Sequence, residues 1–303
     1  MALEGALFGV ESSGEKAYAE RFWTGDMAGN ILIVDDDRLT RVMLSTILEG
    51  GGHGVTAAAD GEEALRLAGK THFDLVLLDI WMPGMGGLEA LDKLRALEPP
   101  PRVIVLTSDE TPETLLAAVR GQASRYLTKP IEAEGLLEVV AEELETPERP
   151  HIELLSGRPD WVELEVPCRL EVVDQIQNIL GQLAANLNEE VRRSVGQAFR
   201  ELLSNAIEWG GALDPERKVR ISYLHMRRLI LYRISDPGSG FRFEDLSHAA
   251  VGYPADQPLA HVGPREAKGL RPGGFGVLLA RALVDELIYN EAQNEVVFVK
   301  YLD

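Results

Sequence analysis

The sequence predicts an α/β protein of two domains: a doubly wound, five-stranded parallel sheet, then a two-layer α/β domain with a mixed sheet. Three observations carry this. The 303-residue length suits two cores at roughly 100–200 residues per domain. From Asn30 to Glu145 short apolar runs alternate with amphipathic stretches, which implies right-handed crossovers and helices on both faces of a parallel sheet. Beyond a proline-rich break at 146–160 the pattern becomes strand, two helices, then two strands in succession.

Residues 1–28 show no sustained period and read as an N-terminal extension without an assigned function. The runs at 31–34, 54–59, 75–78, 103–106 and 124–127 are the candidate strands, five in all. Helical patterns separate them at about 38–49, 61–69, 87–97 and 111–120, and a last one at 133–145 follows the fifth strand, which makes 29–148 the first domain. Pro147, Pro150 and Pro159, with Ser156 and Gly157 between them, leave 149–160 as a linker with neither helix nor strand. In the second domain, 161–303, WVELEV (161–166) alternates as a strand should. Helices follow at about 169–186 and 189–209, and strands near 217–225 and 228–235. The Gly-, Pro- and charge-rich stretch 236–273 is longer than a compact domain carries without a functional reason and reads as a lid. A helix near 274–287 and strands near 286–292 and 295–302 close the chain.

Net charge is −19, from 30 basic and 49 acidic residues, and 29–148 alone holds 22 acidic against 10 basic. Such a surface repels phosphate backbones and argues against nucleic acid as a partner. A single cysteine, Cys168, excludes an intrachain disulfide and points to a reducing, cytoplasmic setting. No apolar run approaches the roughly 20 residues of a spanning helix, and the N-terminus lacks a basic region ahead of an apolar one, so neither membrane passage nor export is expected.

Asp35, Asp36 and Asp37 follow the first strand and Asp79 follows the third, so a parallel sheet gathers carboxylates at one edge, where a hard cation such as Mg²⁺ finds oxygen ligands. Asp37 also stands where a helix N-cap belongs. Thr107 after the fourth strand and Lys129 after the fifth bring a hydroxyl and an ammonium to the same edge, suited to a phosphoryl group on Asp79. In this order and spacing, ILIVDDD, LVLLDIWMPGMGG, VIVLTSDE and YLTKP resemble the receiver domain of two-component response regulators. The resemblance implies strand order 2-1-3-4-5, with Asp79 as phosphoacceptor from an upstream histidine kinase and Mg²⁺ held by Asp35, Asp36 and Asp79. It also implies that Thr107 and Lys129 sense the acyl phosphate, that Tyr126 is the switch aromatic, and that the Lys129–Pro130 bond is cis.

In the helix at 189–209, Glu201, Asn205 and Glu208 fall at i, i+4 and i+7 on one face. Asp236-Pro-Gly-Ser-Gly240 follows a strand directly, and Gly273-Gly274-Phe-Gly276 opens a helix whose free amides favour phosphate. Together, FRELLSNAIEWG, ISDPGSGF and GGFGVLLARALVDEL resemble the nucleotide-binding boxes of the ATPase superfamily of gyrase, Hsp90, histidine kinases and MutL, and within it look most like the anti-sigma-factor serine kinases. The resemblance implies a Bergerat-type fold and ATP as cofactor. Asn205 would hold a phosphate-bridging Mg²⁺, Glu201 would activate the attacking hydroxyl, and Asp236 would bind the adenine amino group, in a pocket shaped by Gly238, Gly240, Gly274 and Gly276. Arg265, Lys268 and Arg271, against Glu266, make the lid locally positive, and Arg200 stands beside Glu201, where pairing would damp the base. A histidine kinase needs its phosphoaccepting histidine on a helical hairpin, and His151, beside Pro150, is the sole candidate between the domains. The expectation is a response regulator whose output is a protein serine/threonine kinase, with a STAS-type antagonist as substrate, a sigma factor as sequestered partner and a homodimeric state. The alternative is a non-catalytic, ATP-gated partner switch.

Overall fold

A computed structural model describes residues 28–109, 111–145, 150–242, 249–250, 253, 259–260, 262–267 and 274–302. The elements of the first part are β1 (Asn30–Val34), α1 (Arg38–Gly50), β2 (Gly54–Ala58), α2 (Gly61–Ala68), β3 (Leu75–Asp79), α3 (Gly87–Arg95), β4 (Arg102–Thr107), α4 (Pro112–Arg120), β5 (Arg125–Thr128) and α5 (Ala133–Glu145). Those of the second are β6 (Glu153–Arg158), β7 (Trp161–Pro167), α6 (Val172–Leu183), α7 (Glu189–Asn205), a π-helical turn (Ala206–Gly210), β8 (Lys218–Met226), β9 (Leu229–Ser235), α8 (Val262–Ala267), α9 (Gly276–Leu283), β10 (Glu286–Tyr289) and β11 (Glu295–Tyr301). By contact the described residues fall into two units, those of Met1–Asp109 with Ala123–Glu148 and those of Glu110–Gln122 with Arg149–Asp303.

In the first unit the strand order is β2-β1-β3-β4-β5 and every pairing is parallel, as expected. Because side chains alternate along a strand, Ile31, Ile33, Leu75, Leu77, Ile104 and Leu106 share one face, where they bury Leu44 and Leu48 of α1 and Leu136 and Val140 of α5. Asp37 caps α1, accepting from Thr40 N at 2.8 Å, and Asp60 caps α2, accepting from Glu63 N at 2.8 Å while the Glu63 carboxylate reaches back to Ala59 N. Lys129–Pro130 is cis, as is Glu98–Pro99, which the sequence did not single out.

His53 contributes a pH-sensitive contact. Its Nδ1 accepts from Gly29 N at 3.2 Å, so the ring is neutral, and burial holds its pKa below the ordinary 6.5. The unfolded chain therefore binds the proton first: the stabilisation is complete above about pH 6.5 and is lost as pH falls through the folded-state value. Urea unfolding at about pH 7.5 and about pH 5.5 should show this loss, and His53→Gln should reduce it. An unchanged pH difference in the variant would rule the contact out as its source.

The second unit is a sheet of order β10-β11-β9-β8-β7-β6 under a helical layer. All five described pairings are antiparallel, where a mixed sheet was expected. Phe199 of α7 packs on Tyr232 of β9, which stacks on Phe298 of β11 at 4.8 Å, so aromatic rings fill the layer between α7 and the sheet. Two expectations need correction. The segment 149–160 is not wholly linker, since β6 lies within it: Glu153–Arg158 finds backbone partners along the alternating β7 despite its glycine and serine, with a register irregularity between Leu154 and Ser156. Further, the boundaries 29–148 and 149–160 do not follow contact, because α4 belongs to the second unit, where it meets β6 and α6 and where the Gln122 and His151 side chains hydrogen-bond at 3.2 Å.

Among the described residues no helix is long and apolar enough to cross a membrane.

Candidate functional site

At the carboxyl edge of the first sheet, Lys129 Nζ donates to Asp35 Oδ2 at 2.7 Å and to Asp79 Oδ2 at 2.8 Å. Burial alone would depress the lysine, but the hydrogen bonds and charges of Asp35 and Asp79 outweigh it and hold its pKa above the ordinary value, while burial raises that of Asp35. One carboxylate oxygen from each of Asp35, Asp36 and Asp79 lies within 4.8 Å of the others, a donor set that fits a hard, oxygen-seeking cation such as Mg²⁺. Asp35 is fully buried, its Oδ1 taken by Asp37 N at 2.9 Å, and Asp36 is exposed. Thr107, also fully buried, accepts from Asp109 N at 3.0 Å, and Tyr126 donates to the Asp109 carbonyl at 2.5 Å, so both residues bear on the loop leaving β4. Trp81 exposes its ring and donates its backbone N–H to Asp79 Oδ1 at 3.2 Å.

The second cluster is built on α7. Asn188 caps that helix, and Val195, Ala198, Phe199, Leu202 and Leu203 bury one side of it. Glu201 and Asn205 lie one turn apart, and among the described residues neither side chain makes a hydrogen bond or ion pair. Gly276, at the start of α9, fits directly against them: a Cβ there would lie 2.5 Å from Glu201 Oε2 and 3.4 Å from Asn205 Nδ2. Arg200 does not damp Glu201, because its guanidinium points to α6 and binds Gln177 Oε1 at 2.9 Å together with Asp174. The helix expected to run to 209 becomes a π turn after Asn205, with Gly211 N donating to the Ala206 carbonyl at 2.8 Å, so Glu208 leaves the regular face expected of it.

Asp236 begins the loop after β9. Its Oδ1 accepts from Gly238 N at 2.8 Å, and burial raises its pKa, opposed by that hydrogen bond and the charge of Arg217. Gly240 takes φ +82° with the Ala292 carbonyl oxygen 1.6 Å from where a Cβ would stand, so no side chain fits. The Gly274 carbonyl accepts from Ala250 N at 2.9 Å. Gly273, Lys268 and Arg271 lie outside the described residues, as do the side chains of Arg265 and Glu266, most of the lid and residues 1–27 of the extension.

Sequence reasoning missed three residues at this loop. Asn294 binds it through both backbone and side chain, Arg217 donates to the Pro237 carbonyl at 2.5 Å, and Tyr289 is a half-buried phenol whose pKa is raised by burial and by the charge of Asp236. The one available signal was the paired asparagines, Asn290 and Asn294, at the two ends of the final hairpin loop.

Residues 31–141 match the family model of the response regulator receiver domain, and residues 166–300 match that of the histidine kinase-like ATPase domain. The chain is 30% identical over 233 residues to the DNA-binding response regulator MtrA of Mycobacterium tuberculosis (strain H37Rv), covering 77% of this chain and 99% of that protein. It is 39% identical over 115 residues to the response regulator protein FleR of Pseudomonas aeruginosa, a match that takes in 38% of this chain and 24% of FleR. A CheY-like receiver domain structure from Methanospirillum hungatei JF-1 is similar at 35% identity and a TM-score of 0.38, covering 39% of this chain and 94% of that one. With its parallel sheet ordered 2-1-3-4-5 and a histidine kinase-like ATPase domain after it, the chain belongs to the response regulator family.

Proposed function

We propose that the protein is a response regulator whose output is an ATP-dependent protein serine/threonine kinase of the anti-sigma-factor type, controlled by phosphorylation of Asp79. The observation that carries the reading is the placing of a carboxylate and an amide, Glu201 and Asn205, unpaired among the described residues, against Gly276 at the N-terminus of α9. Free amides and the helix dipole favour phosphates at that terminus, and Asn205 supplies an oxygen ligand for a phosphate-bound Mg²⁺, which would neutralise charge on the transferring group. Glu201 takes the proton of an incoming serine or threonine hydroxyl as its oxygen bonds to the γ-phosphorus, and the bond to ADP breaks. Asp236 accepts from the adenine amino group.

At the first site Asp79 takes a phosphoryl group from an upstream histidine kinase. Asp35, Asp36 and Asp79 would hold the Mg²⁺ that shields the incoming phosphate, while Lys129 and Thr107 face the product. A STAS-type antagonist is the proposed hydroxyl substrate, a sigma factor the sequestered partner and a homodimer the proposed assembly, all in the cytoplasm.

The test gives γ-labelled ATP and magnesium to the protein purified with its associated partners. Acid-stable label on a small partner, absent with Asn205→Ala, is expected. ATP binding without stable label on any partner would replace the kinase with a non-catalytic, nucleotide-gated partner switch.

A further inference from the structure

We propose that Asn294 and Arg217 are positioning residues that select the purine base, by fixing the carboxylate of Asp236 from the two sides of its loop. The inference rests on the ATP-binding reading above and deepens it. On one side, Asp236 N donates to the Asn294 carbonyl at 2.9 Å and Asn294 Nδ2 donates to the Gly238 carbonyl at 3.0 Å. On the other, Arg217 Nη2 donates to the Pro237 carbonyl at 2.5 Å. That carbonyl shares a planar trans peptide with the Gly238 N–H, so the two groups point in opposite directions. Anchoring the oxygen to Arg217 therefore aims the N–H, which donates to Asp236 Oδ1 at 2.8 Å. Two side chains thus hold two successive peptides of the loop, and these peptides settle which carboxylate oxygen is used internally.

Asn294 is itself fixed. Its Oδ1 accepts from Asn290 Nδ2 at 2.8 Å and its N–H donates to Asn290 Oδ1 at 3.1 Å, so the amide can turn only its Nδ2 toward Gly238. The hairpin loop carrying it also bears on Gly240 through the Ala292 carbonyl. The outcome is that Asp236 Oδ2 makes no hydrogen bond among the described residues and stands as the acceptor presented to a base. A held acceptor suits the exocyclic amine of a 6-aminopurine and discriminates against a 6-oxopurine, which offers a second acceptor at that position. If either anchor is lost, the loop can rotate the carboxylate and the distinction weakens.

The experiment measures equilibrium binding of ATP and of inosine triphosphate to the full chain, with thermal melting alongside, for the unsubstituted protein, Asn294→Ala and Arg217→Ala. The unsubstituted chain should prefer ATP. Each variant should cut that preference about tenfold, through weaker ATP binding with little change for inosine triphosphate. Equal weakening of both nucleotides, or no change in either, would overturn the positioning role. Arg217→Ala supplies the answer if Asn294→Ala fails to fold, since Arg217 reaches the loop from outside the hairpin. An unsubstituted chain that binds neither nucleotide removes the ATP reading and this inference with it, whereas equal affinity for both leaves nucleotide binding standing and removes the inference alone.

Discussion

Asp79→Asn is expected to abolish labelling of the chain by acetyl phosphate altogether, while melting stays close to that of the unsubstituted protein. Three acids stand at this edge, and their surroundings are unequal. Asp35 is the less accessible of the buried pair, its side chain 1% exposed against 9% for Asp79, so an incoming phosphoryl group does not reach it. Asp36 is exposed, and among the described residues its carboxylate makes no hydrogen bond or ion pair, the nearby Arg41 guanidinium being engaged by the Asp35 and Asp36 carbonyls. Asp79 combines limited access with an ammonium 2.8 Å from Oδ2, where the charge on an acyl phosphate needs it. The asparagine amide keeps the shape and an oxygen that still accepts from Lys129, so the fold survives while the nucleophile is lost. Residual acid-labile label in the variant, traced to Asp36, would sink the assignment. The same variant tests the proposed control of the second domain: acetyl phosphate should change the kinase rate of the unsubstituted chain and not that of Asp79→Asn, and the same response in both would mean that Asp79 does not control the second site.

Much of the architecture was legible because burial on both faces leaves a plain trace: ILIV, LVLL and VIVL read as strands, and all three are strands. The edge acids and Lys129 were legible because a parallel sheet delivers its strand ends to one side, whatever the side-chain detail. β6 was not, because its partner along β7 supplies the order that Ser156 and Gly157 withhold locally. Nor was the placing of α4, since an amphipathic period tells that a face is buried and not what buries it. Adjacency also misled: Arg200 and Glu201 are neighbours in sequence but project from a helix about 100° apart, and Arg200 finds α6 instead. The π turn after Asn205 depends on hydrogen bonds that no side-chain pattern encodes.

Glu201→Gln should lower phosphotransfer to the protein substrate by about 10²–10⁴-fold, the usual worth of a positioned general base, with ATP affinity nearly unchanged. The amide retains the volume and cannot take a proton, so what is lost is base chemistry and not packing. Gly276→Ala provides an independent approach to the same carboxylate. The added methyl would lie 2.5 Å from Glu201 Oε2, and because that oxygen ends a flexible side chain, the conflict should resolve by moving the carboxylate and not the helix. Melting should therefore change little, while transfer falls toward the level of Glu201→Gln. Asn205 lies further from the added group, at 3.4 Å, so nucleotide binding should be far less affected than in Asn205→Ala. The two substitutions in one chain should cost scarcely more than either alone, because they disable one group. Additive losses would mean that Gly276 serves the phosphates directly and not through the Glu201 carboxylate.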